Sequence, residues 1–125
     1  MEEKILRSIT RQFKAVFPGT LNANDTLFGG QALKWMDEVA YITATRYTRK
    51  HMFTVSTGSI KFLQRINSDS IIEIIGKVEK ITPVRIYVKV EIYAEDMYSS
   101  IREKKVEGLF VLVALDEHKN LIRLY

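Results

Sequence analysis

The sequence predicts an α+β fold in which a curved antiparallel sheet of five or six strands wraps around one long central helix. Four segments carry a period-of-two signal, most clearly 84–95, where apolar residues recur at every second position, and a further strand is predicted near the N-terminus. Only residues 28–47 carry apolar residues at helical spacing instead. Strands of about 12 residues are twice the usual length. Strands that long must twist and curl, so the sheet is expected to enclose the helix.

Composition bounds the possible functions. The 125 residues are enough for one domain, taken as 1–125, and too few for two. Hydrophobic residues make up 46% and charged residues 27%, an ordinary globular mixture that excludes disorder. The absence of cysteine excludes disulfides, thiolate metal ligands and thiol nucleophiles. His51 and His118 are the only histidines and lie 67 positions apart, so we expect no metal site and no cofactor.

The charge pattern bears on partners and location. The net charge is +4, but basic residues mostly alternate with acidic ones, as in Lys89-Val90-Glu91. This disfavours nucleic-acid binding and fits a small phosphate-bearing ligand. No apolar run approaches the ~18 residues of a membrane span, and the N-terminus lacks a hydrophobic signal core. We therefore expect a cytoplasmic protein that does not enter membranes.

The elements follow in chain order. A first strand is predicted over residues 9–17, ending at Pro18. The helix over 28–47 is apolar nearly all round, so we expect it to be buried. Asn24, Asp25 or Thr26 can supply the oxygen that caps its start.

Four strands follow the helix. In the strand over 52–66 the apolar residues change parity, and Gly58 is the natural place for a bulge. The next strand covers Ser70–Ile81. In the strand over 84–95 every even position is apolar, so one face is expected in the core and the other in water. The strand over 106–115 is apolar on both faces and is predicted to be covered on both sides.

Asp37 is the first candidate for chemistry. It lies one turn after Leu33 within a helix stripe that we expect to be covered, and a buried Asp is rare unless it is paired. Lys34 can pair with Asp37 or with Glu38. A functional carboxylate and a carboxylate hydrogen-bonded at a subunit boundary are both open for Asp37.

Gly29 and Gly30 are the second candidate. Two glycines weaken a helix start but let another molecule approach the backbone. The first N–H groups of a helix are unpaired and lie at the positive end of its dipole, where they can stabilise an oxyanion. The alternative is a pair of packing glycines where a strand crosses the helix.

These residues belong to a string, NANDTLFGGQALKWMDEVA at 22–40, that resembles the signature of acyl-coenzyme A thioesterases of the hotdog fold. The resemblance continues in TVSTGSIKFL at 54–63, YAED at 93–96 and GLFVLVALD at 108–116. It covers about residues 17–116 and departs at Asp25, Arg65 and Tyr47, where the family often has Gly, Pro and His. It implies a hotdog domain that forms homodimers, with trimers of dimers as a frequent assembly.

The resemblance also implies a mechanism. The Gly30 N–H, with Gly29, would polarise the thioester carbonyl of a bound acyl-CoA. Asp37, from the same helix or from the partner's helix, would act as a general base on water or attack the carbonyl itself. Asn22 or Asn24 would orient water or the carbonyl, and the resemblance favours Asn22.

Further residues are predicted to bind the substrate. The coenzyme A phosphates should meet basic residues, and the unranked candidates are Arg46, Lys61, Arg65, Lys80 and Arg85. Backbone pairing with the pantetheine arm is the hypothesis for Thr54, Val55 and Ser56. The acyl chain needs an apolar tunnel, with Phe28, Leu33, Trp35 and Met36 as candidate lining.

Three other functions compete with thioester hydrolysis. A non-catalytic acyl-CoA-binding or regulatory module on the same fold would make Asp37 structural. A hotdog dehydratase or hydratase would usually place a His in the helix region, where this chain has none. Nucleic-acid binding would appear as a steeply salt-dependent affinity for oligonucleotides.

Overall fold

The computed structural model describes residues 2–17, 21, 27 and 29–125. Two helices and seven strands follow one another as α1 (Glu2–Ser8), β1 (Thr10–Ala15), α2 (Gly29–Thr48), β2 (Met52–Thr57), β3 (Lys61–Phe62), β4 (Ser70–Ile81), β5 (Ile86–Asp96), β6 (Arg102–Leu115) and β7 (Leu121–Ile122). Within these residues, neither helix is long and apolar enough to cross a membrane.

A single curled antiparallel sheet forms the body of the fold. Its strand order is β1-β4-β5-β6-β2, and the two-residue strands β3 and β7 both pair with β6. α2 packs on the inner face of this sheet, which confirms the predicted sheet around a central helix. The strand count exceeds the predicted five or six because the strand predicted over 52–66 is divided into β2 and β3, and because β7, with two residues, is too short to leave a pattern in the sequence.

Strand alternation places the core between the sheet and α2. From Ile86 to Ala94 the even residues of β5 are buried and the odd ones are partly exposed, as predicted, whereas Val84 precedes the strand and is 37% exposed. In β6 the five residues from Phe110 to Ala114 are all buried, which confirms a strand covered on both sides in that half. The first half of β6 alternates instead.

The expectation that α2 is buried all round is wrong. Met36, Val39 and Ala40 are fully buried against the sheet, whereas Asp37 and Tyr41 are exposed. The reason is the short edge strand β2, which among the described residues pairs only with β6 and leaves one side of α2 open. Asp37 therefore does not lie in a covered stripe of this chain.

The segment predicted as one strand over 52–66 slips twice against β6, and the two slips cancel in parity, so Thr54 and Phe62 both lie on the face toward α2. The apolar residues change parity because Phe53, opposite Val113, lies on the other face and Val55 is exposed. The pairing of β2 with β6 shifts between Thr54 and Ser56, which leaves Val55 as the bulged residue. A second extra residue lies between β2 and β3: four steps lead from Thr57 to Lys61, whereas only three lead from Phe110 to Glu107, their partners in β6. The second slip contains Gly58 and confirms the irregularity predicted there, while the slip at Val55 was not foreseen.

The first helix, α1, was not predicted. It lies beside the part of β4 that β1 does not reach, and it also contacts α2. The Arg46 guanidinium donates hydrogen bonds of 2.7 Å to the carbonyls of Arg7 and Ile9 and so ties the end of α1 to α2. Because these carbonyls accept from its guanidinium group, Arg46 is less available as a phosphate ligand.

Candidate functional site

An open groove between α2 and β2 contains the sequence-predicted carboxylate. Asp37 lies on the uncovered side of α2, and the Thr54 hydroxyl donates a hydrogen bond of 2.8 Å to its Oδ1 atom. The groove has a volume of about 580 Å³. We call it the site groove; it is lined by Lys34, Asp37, Glu38, Tyr41, His51, Met52, Phe53 and Thr54.

The strand register explains why Thr54 meets Asp37. Thr54 pairs with Leu112, a fully buried residue of β6, so the two side chains lie on the sheet face that looks toward α2. β2 is the edge strand beside α2, and Thr54 is therefore carried to the helix. Among the described residues, no ion pair joins Lys34 to Asp37 or to Glu38, so the partner of Asp37 is a hydroxyl.

The start of α2 forms a second cluster. Gly29 is the first residue of the helix, and a Cβ atom placed on it would lie 3.7 Å from the Phe62 ring. Just before the helix, the Leu27 N–H donates to the Ile66 carbonyl at 2.7 Å, which brings the loop after β3 alongside. Arg65, next to Ile66, is exposed at this end of the molecule.

The remaining predicted residues fall in different places. Val55 is the exposed bulge of β2, and Ser56 pairs with Val111 beside it. Arg85 lies in the turn between β4 and β5, where its N–H bonds the Thr82 hydroxyl at 2.9 Å. Asn22, Asn24 and Phe28 lie outside the described residues, and so do the other helix-capping candidates, Asp25 and Thr26.

Arg65 and Arg85 lie at opposite ends of the sheet. Phe62, near Arg65, pairs with Val106, whereas Ile86, next to Arg85, pairs with Leu112. Six residues of strand separate these partners, or about 20 Å at ~3.3 Å per residue. The two arginines of one chain are therefore too far apart to bind the same phosphate, and the role of each stays a prediction.

Three groove residues were missed by the reasoning from sequence. Tyr41 is 48% exposed and Phe53 39%, with the Lys119 ammonium 5.2 Å from the centre of the Phe53 ring. His51, predicted as a surface or turn residue, is exposed but also lines the groove. Its position just before β2, beside the edge of the groove, was the only available signal.

The resolved pKa shifts lie on the sheet face away from α2, not in the site groove. Lys104 donates to Glu91 at 2.6 Å and to Glu107 at 3.2 Å, and these hydrogen bonds raise its pKa. The same hydrogen bond from Lys104 lowers the pKa of the Glu107 carboxyl. This network joins β5 to β6, and its lysine and two glutamates pair with one another.

The described residues contain no cluster of three or more His, Asp or Glu side chains able to hold a metal ion. The chemistry that the site groove can carry is that of a carboxylate oriented by a hydroxyl. The N–H groups at the start of α2, outside the lining of this groove, are separate donors for a developing negative charge.

A family model described as the thioesterase superfamily matches residues 24–101. A Bacillus subtilis protein named as an uncharacterised acyl-CoA thioester hydrolase is 30% identical over 103 residues, which are 82% of this chain and 60% of the relative. A Zymomonas mobilis protein of the same designation is 26% identical over 82% of this chain and 68% of the relative. The chain spans about 60% of the length of the first curated relatives it matches.

Solved structures give the same picture. The acyl-CoA hydrolase from Bacillus cereus has a TM-score of 0.90 at 30% identity, covering 95% of this chain and 74% of its own. The Staphylococcus aureus acyl-CoA hydrolase, in complex with butyryl coenzyme A and coenzyme A, has a TM-score of 0.90 at 27% identity, covering 95% and 73%. A hexameric acyl-CoA thioesterase has a TM-score of 0.90 at 26% identity, covering 95% and 78%.

Further structures of the Staphylococcus aureus protein carry alanine in place of one aspartate, one threonine or one asparagine. In that protein the asparagine lies 15 positions before the aspartate, and the threonine lies 17 positions after it.

Proposed function

The chain belongs to the thioesterase superfamily, and from this premise we propose that it hydrolyses acyl-CoA thioesters to a free acid and coenzyme A. The hotdog fold implied by the sequence resemblance is confirmed. The observation that carries the proposal is the Asp37 carboxylate, held by Thr54 at 2.8 Å in an open groove. Thr54 occupies one carboxylate oxygen and leaves the other for water or for a carbonyl carbon.

The spacing of the residues supports this assignment. Asn22, Asp37 and Thr54 are separated by the same 15 and 17 positions as the asparagine, aspartate and threonine replaced in the Staphylococcus aureus hydrolase. In our proposal Asp37 is the general base or the nucleophile, Thr54 orients it, and Asn22 orients water or the carbonyl. The hydroxyl contact with Asp37 was not predicted for Thr54, and backbone pairing with pantetheine, the role that was predicted, stays a prediction.

The oxyanion donor and the carboxylate must come from two copies of the chain. Gly30 and Asp37 are seven residues apart in α2, or about 10 Å along the helix axis at 1.5 Å per residue. An oxygen bound to the Gly30 N–H would lie about 3 Å further beyond the helix start. A carboxylate acting through one water reaches a carbonyl carbon only about 6 Å away, two contacts of ~3 Å. One chain therefore cannot bring both groups to the same thioester.

A homodimer resolves this distance, and several features support one. β2 is a free edge of the sheet and carries the exposed apolar residues Phe53 and Val55, while Tyr41 is exposed on the neighbouring face of α2. A twofold axis would place Gly30 of one copy near Asp37 of the other and make two equal sites. The hexameric relatives are consistent with three such dimers in one particle.

The proposal leaves the other expectations in place. Arg65 is the preferred phosphate ligand because it lies at the end of the molecule where α2 begins. No cofactor is required, and the cytoplasm remains the expected location.

Release of free thiol from acyl-CoA substrates tests the function. We expect the parent to release coenzyme A from at least part of a series running from short to long acyl chains. Asp37→Asn should lower kcat by about 10²–10⁴-fold, the usual value of general-base catalysis. Glu38→Gln is the matched control, since it removes a carboxylate that lines the same groove.

Two outcomes would count against the proposal. Asp37→Asn within about threefold of the parent would remove Asp37 from the mechanism. A parent that binds acyl-CoA but releases no thiol from any member of the series would favour the non-catalytic binding module.

A further inference from the structure

An apolar side-chain row leads from the start of α2 into the core. Phe62 pairs with Val106, a buried residue of β6, so its ring lies on the face of the sheet that looks toward α2. The ring is 56% exposed and yet lies against Gly29. A large aromatic side chain left half in water at this point has one side available for a ligand.

Ile60 continues the row inward. It is partly buried, and its Cδ1 atom occupies the space that a side chain on Gly108 would fill. The Met36 methyl group lies 3.6 Å from the same Cβ position, so Ile60 ends against the fully buried core. The row therefore starts at the exposed ring of Phe62 and ends at the half-buried side chain of Ile60, which fills the space above Gly108.

We propose that Phe62 and Ile60 form the acyl-chain site and that Ile60 sets its depth, an inference that rests on the proposed hydrolysis of acyl-CoA thioesters. A thioester whose carbonyl oxygen meets the Gly30 N–H has its first acyl carbons within a few ångströms of the Phe62 ring. The chain then follows the row until Ile60 stops it. Ile60 acts as a specificity-determining residue and takes no part in the reaction.

The chemistry of the row favours the acyl chain over the rest of the substrate. Phe62, Ile60 and Met36 present only carbon and sulfur atoms. The pantetheine arm carries amides that would lose hydrogen bonds to water there. The adjacent Lys61, opposite Glu107 in the strand register, lies on the other sheet face and could bind a charged group of the substrate.

Truncating Ile60 tests the depth. Ile60→Ala removes three carbons above Gly108, and each additional buried methylene of a ligand is worth about fourfold in affinity. We expect the optimum of kcat/KM along an acyl-CoA series to move two or three carbons longer. Dissociation constants of non-hydrolysable S-alkyl-CoA thioethers should follow the same shift, while binding of coenzyme A itself stays unchanged.

Gly108→Ala is the opposite change. Its new methyl group would overlap Ile60 Cδ1 and push that side chain into the row, so the optimum should move to shorter chains. Leu6→Ala is the matched control, because it also removes three carbons, from a 57% exposed residue of α1. Circular dichroism and light scattering verify that each variant keeps its fold and assembly.

The outcomes separate the two proposals. A uniform loss across chain lengths in Ile60→Ala, with no shift of the optimum, would overturn the inference. A shift in thioether binding without thiol release by the parent would leave the acyl site standing and remove the hydrolysis. If Phe62→Ala leaves the chain-length profile of thioether binding intact, the place of Phe62 in the acyl site is wrong.

Discussion

The Asp37 carboxylate depends on one neighbour for its direction. Thr54 donates to it across the groove from a different element, and the remaining carboxylate oxygen is left in contact with solvent. An Asp side chain on an exposed helix face otherwise has several rotamers open to it. The hydroxyl therefore acts by selecting the rotamer that points along the groove.

Thr54→Val tests this orienting role, because it keeps the shape of the side chain and removes the donor. A hydrogen bond to a charged group contributes about 1.5–3 kcal/mol, and the exposure of this pair puts it at or below the lower end. We expect kcat for thiol release to fall about tenfold with little change in KM. Thr57→Val in the same strand should stay near the parent, and equal losses in both variants would mean that β2 itself has been disturbed.

At this scale the sequence pointed to the candidate groups better than to their neighbours. Asp37 and the glycine pair could be found because a carboxylate and two glycines are unexpected in a mostly apolar helix. The hydrogen bond from Thr54 could not, because it depends on where β2 stands against β6. Two slips, at Val55 and near Gly58, set that register.

The helix and the sheet approach most closely where α2 crosses β4. A Cβ atom on Gly76 would overlap the Thr43 hydroxyl and lie 2.8 Å from Val39 Cγ1. Thr43 itself is fully buried and donates to the Val39 carbonyl at 2.7 Å. The absence of a side chain at Gly76 therefore sets the depth at which α2 sits in the sheet.

Gly76→Ala should consequently lower the free energy of unfolding by about 1–3 kcal/mol, the usual cost of overpacking a core. Thr43→Ala in the same chain removes the hydroxyl from the contact, so the double variant should lose less than the two single losses together. Urea denaturation followed by circular dichroism measures all four proteins. Strictly additive losses would place the strain elsewhere than at this contact.

The long elements were predictable, and the short ones were not. β4, β5 and α2 each carry a periodic pattern over at least ten residues, which local sequence is enough to reveal. α1 has seven residues, and its position is fixed by Arg46 from a distant part of the chain. The open side of α2 was missed for a related reason, since the apolar residues on it fit a buried helix and a contact surface equally well.

The whole molecule presents its candidate site at one free sheet edge. The site groove lies beside β2, and in the proposed mechanism the distance between Gly30 and Asp37 requires a second copy for a complete site. Activity and assembly are therefore expected to be inseparable in this protein.

Mixing two defective chains tests the shared site. Asp37→Asn removes the carboxylate, and Gly30→Pro removes the N–H at a helix start, where proline is tolerated. Each variant alone should be nearly inactive. Co-expressed, they should recover up to about a quarter of the parent's thiol release, because half of the dimers are mixed and each has one intact site.

A mixture of two differently tagged Asp37→Asn chains gives the background for this experiment. If thiol release by the mixed particles is no higher than that background, the Gly30 N–H and the Asp37 carboxylate are not shared between two chains.

The order of the strands has a consequence for how the chain folds. β4, β5 and β6 are successive neighbours joined by short turns, so their pairing closes early. β2 meets β6 only across a separation of 62 residues, from Met52 to Ala114. β1 meets β4 across a still larger separation, 66 residues from Thr10 to Gly76. The two edge strands, including the one that carries Thr54, are therefore expected to dock after β4, β5 and β6 have paired, so the candidate site forms late in folding.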